Sequence, residues 1–186
     1  MKFVPIFGDD DCLLSVKGDH ETSSEFDKIF RNWTNIEYLD SFFTTHAIDL
    51  KRPFWEGISV EQAIIETRNE AIKFREHLRW LSKKVPSERL VFLMRLFQPL
   101  RKNQPVTPFL EKKKAYGLGK RTWLRIYALK IGEDKYIITG GAIKLTDSMS
   151  EREHTIEELR KLEACKRFII DEGIVDEDGV IELLEL

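Results

Sequence analysis

Residues 121–131 read RTWLRIYALKI and residues 136–145 read YIITGGAIKL. Both stretches are rich in β-branched and aromatic residues, the composition of strands in a partly buried sheet. Gly132, Glu133 and Asp134 between them read as a short hairpin loop, so the pair predicts two adjacent antiparallel strands. Side chains alternate along a strand, which puts Leu124, Ile126 and Ala128 on one face and Trp123, Arg125, Tyr127 and Leu129 on the other. The second face therefore mixes an arginine and a tyrosine with apolar bodies, an uncommon content for a face that only fills a core. Gly140 and Gly141 have no side chains to pack and predict a bulge or a close backbone approach. Lys144 follows three residues after them.

Outward from this hairpin, the preceding stretch from Arg101 to Lys114 holds two prolines and five basic residues, and reads as a loop with an irregular strand. Gly117 and Gly119 are flexible points beyond it. The apolar run Leu90 to Leu100, with Ser87 as a cap and Pro99 as a stop, reads as a short helix. Ser59 and Gln62 form a capping box opening the longest helix, roughly 59–84, whose buried stripe includes Ala63, Thr67, Ala71, Phe74 and Leu78. Two aromatic-rich helices precede it, one opened by Ser23 or Ser24 and one by a Thr34/Glu37 capping box; their stripes read as core. At the start, Lys2–Phe7 and Cys12–Lys17 are short strands around an acidic turn, with Pro5 confining the first to an edge. After the hairpin comes a polar stretch, then a helix from about Thr155 ended by Gly173, and an acidic tail expected to form a short helix.

The chain of 186 residues is 42% hydrophobic and 33% charged, which suits a folded, soluble protein rather than a disordered one. It has no apolar run long enough to span a bilayer and no secretory-type start, so no membrane association is expected. Two cysteines, Cys12 and Cys165, lack metal-site spacing and fit a reducing cytoplasm. The net charge of −2 hides an asymmetry: residues 101–152 carry 12 basic and 5 acidic side chains, residues 153–186 only 4 basic against 11 acidic. A basic centre points to an anionic partner such as nucleic acid. The competing reading is that the acidic tail packs over that centre and cancels it.

No P-loop, dinucleotide-binding glycine pattern, zinc-protease helix or nucleophile elbow occurs, and His20, His46, His77 and His154 are scattered. No metal or other cofactor is expected. The remaining constellation is cationic: Lys112, Lys113, Lys114, Lys120, Arg121, Arg125 and Lys144, with Tyr127 and His154 as neighbours. Such a set suits metal-free phosphodiester chemistry on RNA, in which the substrate 2′-OH attacks the adjacent phosphate and cations stabilise the developing charge. Arginine meets phosphate with a planar fork, lysine with a point charge. The bland alternative is a set of solvated lysines, with Arg125 paired to an acid of the last helix.

From about Leu90 to Ile169 the chain resembles the RelE/HigB-like toxin superfamily, the ribosome-associated ribonucleases of bacterial toxin–antitoxin pairs. The features that carry the resemblance run in order. An apolar helix ends in Pro99-Leu100, a basic loop contains Leu110, and a Leu124-Arg125-Ile126-Tyr127 strand follows. A hairpin then leads to Gly140-Gly141-Ala142-Ile143-Lys144, and the final helix carries Glu157, Ala164, Lys166 and Arg167.

The resemblance implies an α+β fold, with helices on a small curved antiparallel sheet; the chain before it reads as an added, mostly helical N-terminal region. Residues 1–85 would form that addition and residues 86–186 the toxin-like core. It further implies a concave basic face for messenger RNA in the ribosome, with an antitoxin protein as a further partner. By position, Arg125 would contact the scissile phosphate and Lys144 would be the basic residue ending the next strand. Lys112 or Lys113 would lie in the preceding basic segment, and Tyr127 and His154 are candidates for base or acid. Lys113, Lys114, Lys120 and Arg121 are expected on the RNA-binding surface. The chain departs from the family in its long N-terminal region, its slightly acidic charge, and Leu145 where members often carry a second lysine. A non-catalytic binding module with the same fold, and an interaction protein using the aromatic N-terminal lobe, are the alternatives.

Overall fold

The computed structural model describes residues 1–8, 10–101 and 109–184. Most of the expected basic loop (102–108), Asp9 of the acidic turn and the last two residues of the tail lie outside them. The fold is α+β: a six-stranded mixed sheet with helices on both faces. The strands are β1 (Lys2–Phe7), β2 (Asp10–Lys17), β3 (Phe97–Pro99), β4 (Glu111–Tyr116), β5 (Leu124–Lys130) and β6 (Tyr136–Ile143), in the order β1-β2-β6-β5-β4-β3. Every pair is antiparallel except β2 with β6, which is parallel over Leu13–Ser15 and Tyr136–Ile138. That pair is the departure from a purely antiparallel sheet. It arises because the N-terminal hairpin adds to the free side of β6. β1, with Pro5, is an outer strand as its sequence requires.

One face of the sheet is covered by α1 (Glu25–Thr34), α2 (Ile36–Thr45), the short α3 (Ala47–Leu50), α4 (Val60–Ser82) and α5 (Pro86–Leu96). Phe26, Phe30, Trp33, Phe43 and Phe74 pack there against Leu13, Leu124, Ile126, Ala128 and Ile138. This single cluster runs across residue 85, so the aromatic helices complete the core of the sheet. The other face carries α6 (Glu153–Asp171) and α7 (Glu177–Glu182), which bury Leu162, Cys165, Ile169 and Val180 against Leu14, Leu129 and Ile137. Cys12 and Cys165 are buried in different clusters.

The caps follow local chemistry. Ser24 and Ser59 cap α1 and α4, accepting from Asp27 N and Gln62 N. The expected Thr34/Glu37 box is replaced by Asn35, which ends α1 and whose side chain accepts from Tyr38 N to begin α2. The Thr34 hydroxyl bonds back to Phe30 O instead. Pro86 opens α5 at its first turn, where a missing N–H costs nothing. Phe97–Pro99, read as the end of that helix, is a strand paired with β4. Gly173, with φ +75°, ends α6.

Trp123 is a correction: it precedes β5, so strand alternation does not govern it. Its indole packs with Phe43 and Trp55 on the helical face and donates to Thr67 Oγ1 at 2.8 Å. A bulge is present next to Gly140-Gly141, which are themselves in register, and falls at the residue before them. Tyr127 pairs with Gly140 but Ala128 pairs with Ile138, leaving Thr139 as the extra residue. A one-residue insertion moves every later side chain to the opposite face. Ile138 and Ile143, five positions apart, thus both face the helical core. Lys144 emerges on the face of Arg125.

Candidate functional site

β4, β5 and β6 end beside one another on the α6 face, and the side chains at those ends frame a hollow of about 430 Å³. Registered pairs share a face, and Tyr116 lies opposite Arg125, Lys114 opposite Tyr127 and Ala142 opposite Arg125. Lys114, Tyr116, Arg125, Tyr127 and Lys144 all line the hollow. A turn after β6 closes one side with Ser148, Met149 and Ser150, and Leu159 of α6 closes another. Ser148 holds this turn through a capping arrangement: its Oγ accepts from Ser150 N, and Glu151 Oε1 accepts from Ser148 N at 2.6 Å.

The cations are fixed. Arg125 donates from NH1 to the carbonyls of Thr122 and Leu124, both at 2.8 Å, and its guanidinium lies 4.1 Å from the centre of the Tyr116 ring. Burial pulls its pKa down, yet a guanidinium stays charged at any ordinary pH. Lys144 Nζ donates to Thr146 O at 2.5 Å and to Asp147 O at 2.7 Å. Burial first, and the Arg125 charge second, lower its pKa. Lys114 Nζ donates to Leu100 O at 2.9 Å and approaches the same tyrosine ring at 5.6 Å. The Tyr127 hydroxyl is buried without a hydrogen-bond partner, and burial raises its pKa far above the ordinary phenol value.

The other expected site residues lie elsewhere. Lys112 shares the strand face but forms an ion pair with Glu163 of α6. Lys113 points to the opposite side, is buried, and pairs with Glu111 at 2.8 Å, because neighbours on a strand face opposite ways. Lys120 is exposed in the β4–β5 loop, and Arg121 pairs with Glu56 at 2.8 Å. His154 is outside the hollow. It sits on α6 with Nε2 at 2.9 Å from Ile143 O and its ring against Phe42 and His46. Burial lowers its pKa.

Tyr116, Ser148 and Ser150 were not singled out by sequence. Tyr116 was legible, since Lys112, Lys114 and Tyr116 alternate along one strand face. The serines were not, because the turn after β6 brings them in. Among the described residues, the acidic tail does not line the hollow: α7 packs at the β5–β6 loop, where Glu177 meets Gly132. Among the described residues, no helix is long and apolar enough to cross a membrane. Comparisons of the chain with protein-family models, curated proteins and solved structures return no match.

Proposed function

We propose that the hollow binds the sugar–phosphate backbone of single-stranded RNA, and that the chain is a toxin-like RNA-binding protein of RelE/HigB type that cleaves RNA without metal. The observation that carries this reading is the convergence of the Arg125 guanidinium and the Lys144 and Lys114 ammonium groups on one concave space beside Tyr116. Three basic side chains held in place suit a phosphodiester, and an aromatic ring beside them suits a base.

In this reading Lys144 is the general base. Burial and the neighbouring Arg125 charge both favour its neutral form, the direction that role requires. Neutral Lys144 takes the proton of the substrate 2′-OH as the 2′-oxygen attacks phosphorus. The bond from phosphorus to the 5′-oxygen breaks, leaving a 2′,3′-cyclic phosphate. The departing oxygen takes a proton from the Lys114 ammonium. Arg125 holds the phosphate oxygens as charge accumulates on them. Tyr127, buried, and His154, outside the hollow, serve neither step.

Expression in bacteria, with growth and mRNA ends followed, tests the proposal. The wild-type chain is expected to slow growth and to generate new RNA ends bearing cyclic phosphate. An Arg125→Ala/Lys144→Ala double variant should abolish both and cut activity at least 100-fold, in keeping with the loss of a base and an electrostatic clamp. Identical behaviour of the two chains ends the catalytic claim. The second reading, a binding module without catalysis, is favoured by the hydrogen bonds that hold Lys144 to two carbonyls. It predicts RNA binding lost in the double variant with no new RNA ends from the wild type.

A further inference from the structure

Beyond the Arg125–Lys144 pair lies a second depression, of about 320 Å³. Arg125, Lys144 and Asp147 line both spaces, so the two cations form a common wall between them. Each space falls within the range typical of ligand clefts, roughly 300–1,000 Å³. The outer wall of the second comes from the N-terminal third, through a 3₁₀ turn at Pro53–Trp55 and Arg52 before it.

Phe54 on that turn is 60% exposed, yet its mounting is rigid. Trp55 is buried, donates from Nε1 to Leu145 O at 2.8 Å, and packs edge-on against Trp123. The Phe54 ring stands edge-to-face on Trp55, 4.5 Å between centres. The chain leaves the turn through Glu56 and Gly57, with φ of 55° and 69°. A left-handed non-glycine residue is uncommon and strained, and such strain clusters at ligand-holding sites. The Glu56 carboxylate pairs with Arg121, which also donates to Phe54 O at 3.4 Å. Arg52 is committed to the frame, reaching Glu151 at 2.9 Å and Asp147 at 3.4 Å. Asp147, a carboxylate on the shared wall, is 99% exposed and turned to solvent.

The arrangement is therefore an aromatic ring on each side of a cation pair: Tyr116 in the first space, Phe54 in the second. We propose that the second depression is a base-binding subsite, so that the protein takes a dinucleotide footprint on single-stranded RNA. The phosphate between the two nucleotides sits at Arg125 and Lys144, one base lies against Tyr116, and its neighbour stacks on Phe54. This inference rests on the RNA-binding reading given above. It assigns to the N-terminal region the role of extending the site by one nucleotide, with Phe54 as a positioning residue. Stacking on an aromatic ring is tolerant of base identity, so the subsite adds affinity more than sequence preference.

The test uses the full chain and 2′-fluoro oligouridylates of one, two and three nucleotides carrying terminal phosphates, whose sugars cannot attack. For the wild type, affinity should rise about tenfold from one nucleotide to two and little thereafter. Phe54→Ala should erase the gain from the second nucleotide, whereas Phe54→Trp should keep it. A gain that survives Phe54→Ala overturns the subsite while leaving the RNA-binding reading in place. Arg125→Ala should weaken all three ligands. If the wild type binds none of them, or Arg125→Ala binds as well as the wild type, the phosphate reading itself falls and the subsite with it.

Discussion

At the scale of residues, the α6 face holds two kinds of charge. Arg125, Lys144 and Lys114 line the open hollow, while Glu158 of α6 is buried beside Gly140. Glu158 is 7% exposed, accepts from Lys161 at 2.8 Å through Oε1, and has no partner for Oε2. Burial raises its pKa from 4.5 to about 7 against the pull of Lys161. Lys161 is raised in turn, because its ammonium gains both Glu158 and Glu25. The contact favours the lysine, whereas the more deeply buried carboxyl loses more hydration than it recovers.

Between about pH 4.5 and 7 the folded chain thus holds a proton that the unfolded chain has released, so stability falls as pH rises through that window. The loss is on the order of 3 kcal/mol. Glu158→Gln should remove this fall, giving a chain more stable than the wild type at pH 8 and little changed at pH 4. Urea denaturation at the two pH values reads it, and equal midpoint differences at both would contradict the assignment. No sequence signal marked Glu158, because only tertiary packing decides which acid of an amphipathic helix meets the sheet.

At the scale of elements, the hairpin of β5 and β6 decides the site. Its composition and loop were legible, and so was the need for an irregularity near Gly140 and Gly141. The consequence of that irregularity was not: the single bulge sets the phase that puts Lys144 beside Arg125. Gly141 makes this geometry fit, since a Cβ there would lie 2.8 Å from Arg125 O and 3.1 Å from the Ile29 side chain. The first neighbour is backbone and cannot swing away. Gly141→Ala should therefore destabilise the fold by roughly 1–3 kcal/mol, as overpacking does. It should also weaken phosphate binding by displacing the β5 backbone that holds Arg125. A variant with unchanged melting temperature and unchanged affinity would show that the strands are not packed as described. The alternation that placed Tyr127 correctly failed for Trp123, which lies one residue before the strand begins.

At the scale of the whole molecule, ion pairs such as Lys112–Glu163 and Arg121–Glu56 neutralise part of the basic centre, but residues 174–184 do not line the hollow. The acidic tail is anchored at the opposite end of the sheet, with Val180 buried in the core under α6 and Leu183 and Leu184 against it. It acts as a packing element and not as a cover. Deleting residues 174–186 should lower thermal stability by several degrees, since burial of even one such aliphatic side chain contributes about 1.5–3 kcal/mol. RNA affinity of the truncated chain, compared at a temperature where both are folded, should match the wild type. A large rise in affinity would restore the masking role. The N-terminal region also braces the fold: Asp49 of α3, 3% exposed, holds Arg152 through both carboxylate oxygens at 2.6 and 2.9 Å, and so fastens the start of α6.

Local chemistry in the chain determined the helices and their stripes, the caps at Ser24 and Ser59, the edge position forced by Pro5, and the presence of a basic strand pair, because periodicity, capping and turn preference act over a few residues. Which of seven candidate cations meet was decided only by the fold. Lys113 and Lys114 differ by one position and therefore face opposite ways, and Lys112 is drawn to an acid 51 residues away. Phe54 reaches the neighbourhood of Arg125 only because the core closes over both halves of the chain. Convergence of side chains distant in sequence is a property of register, bulge and packing, and those are fixed by contacts between elements.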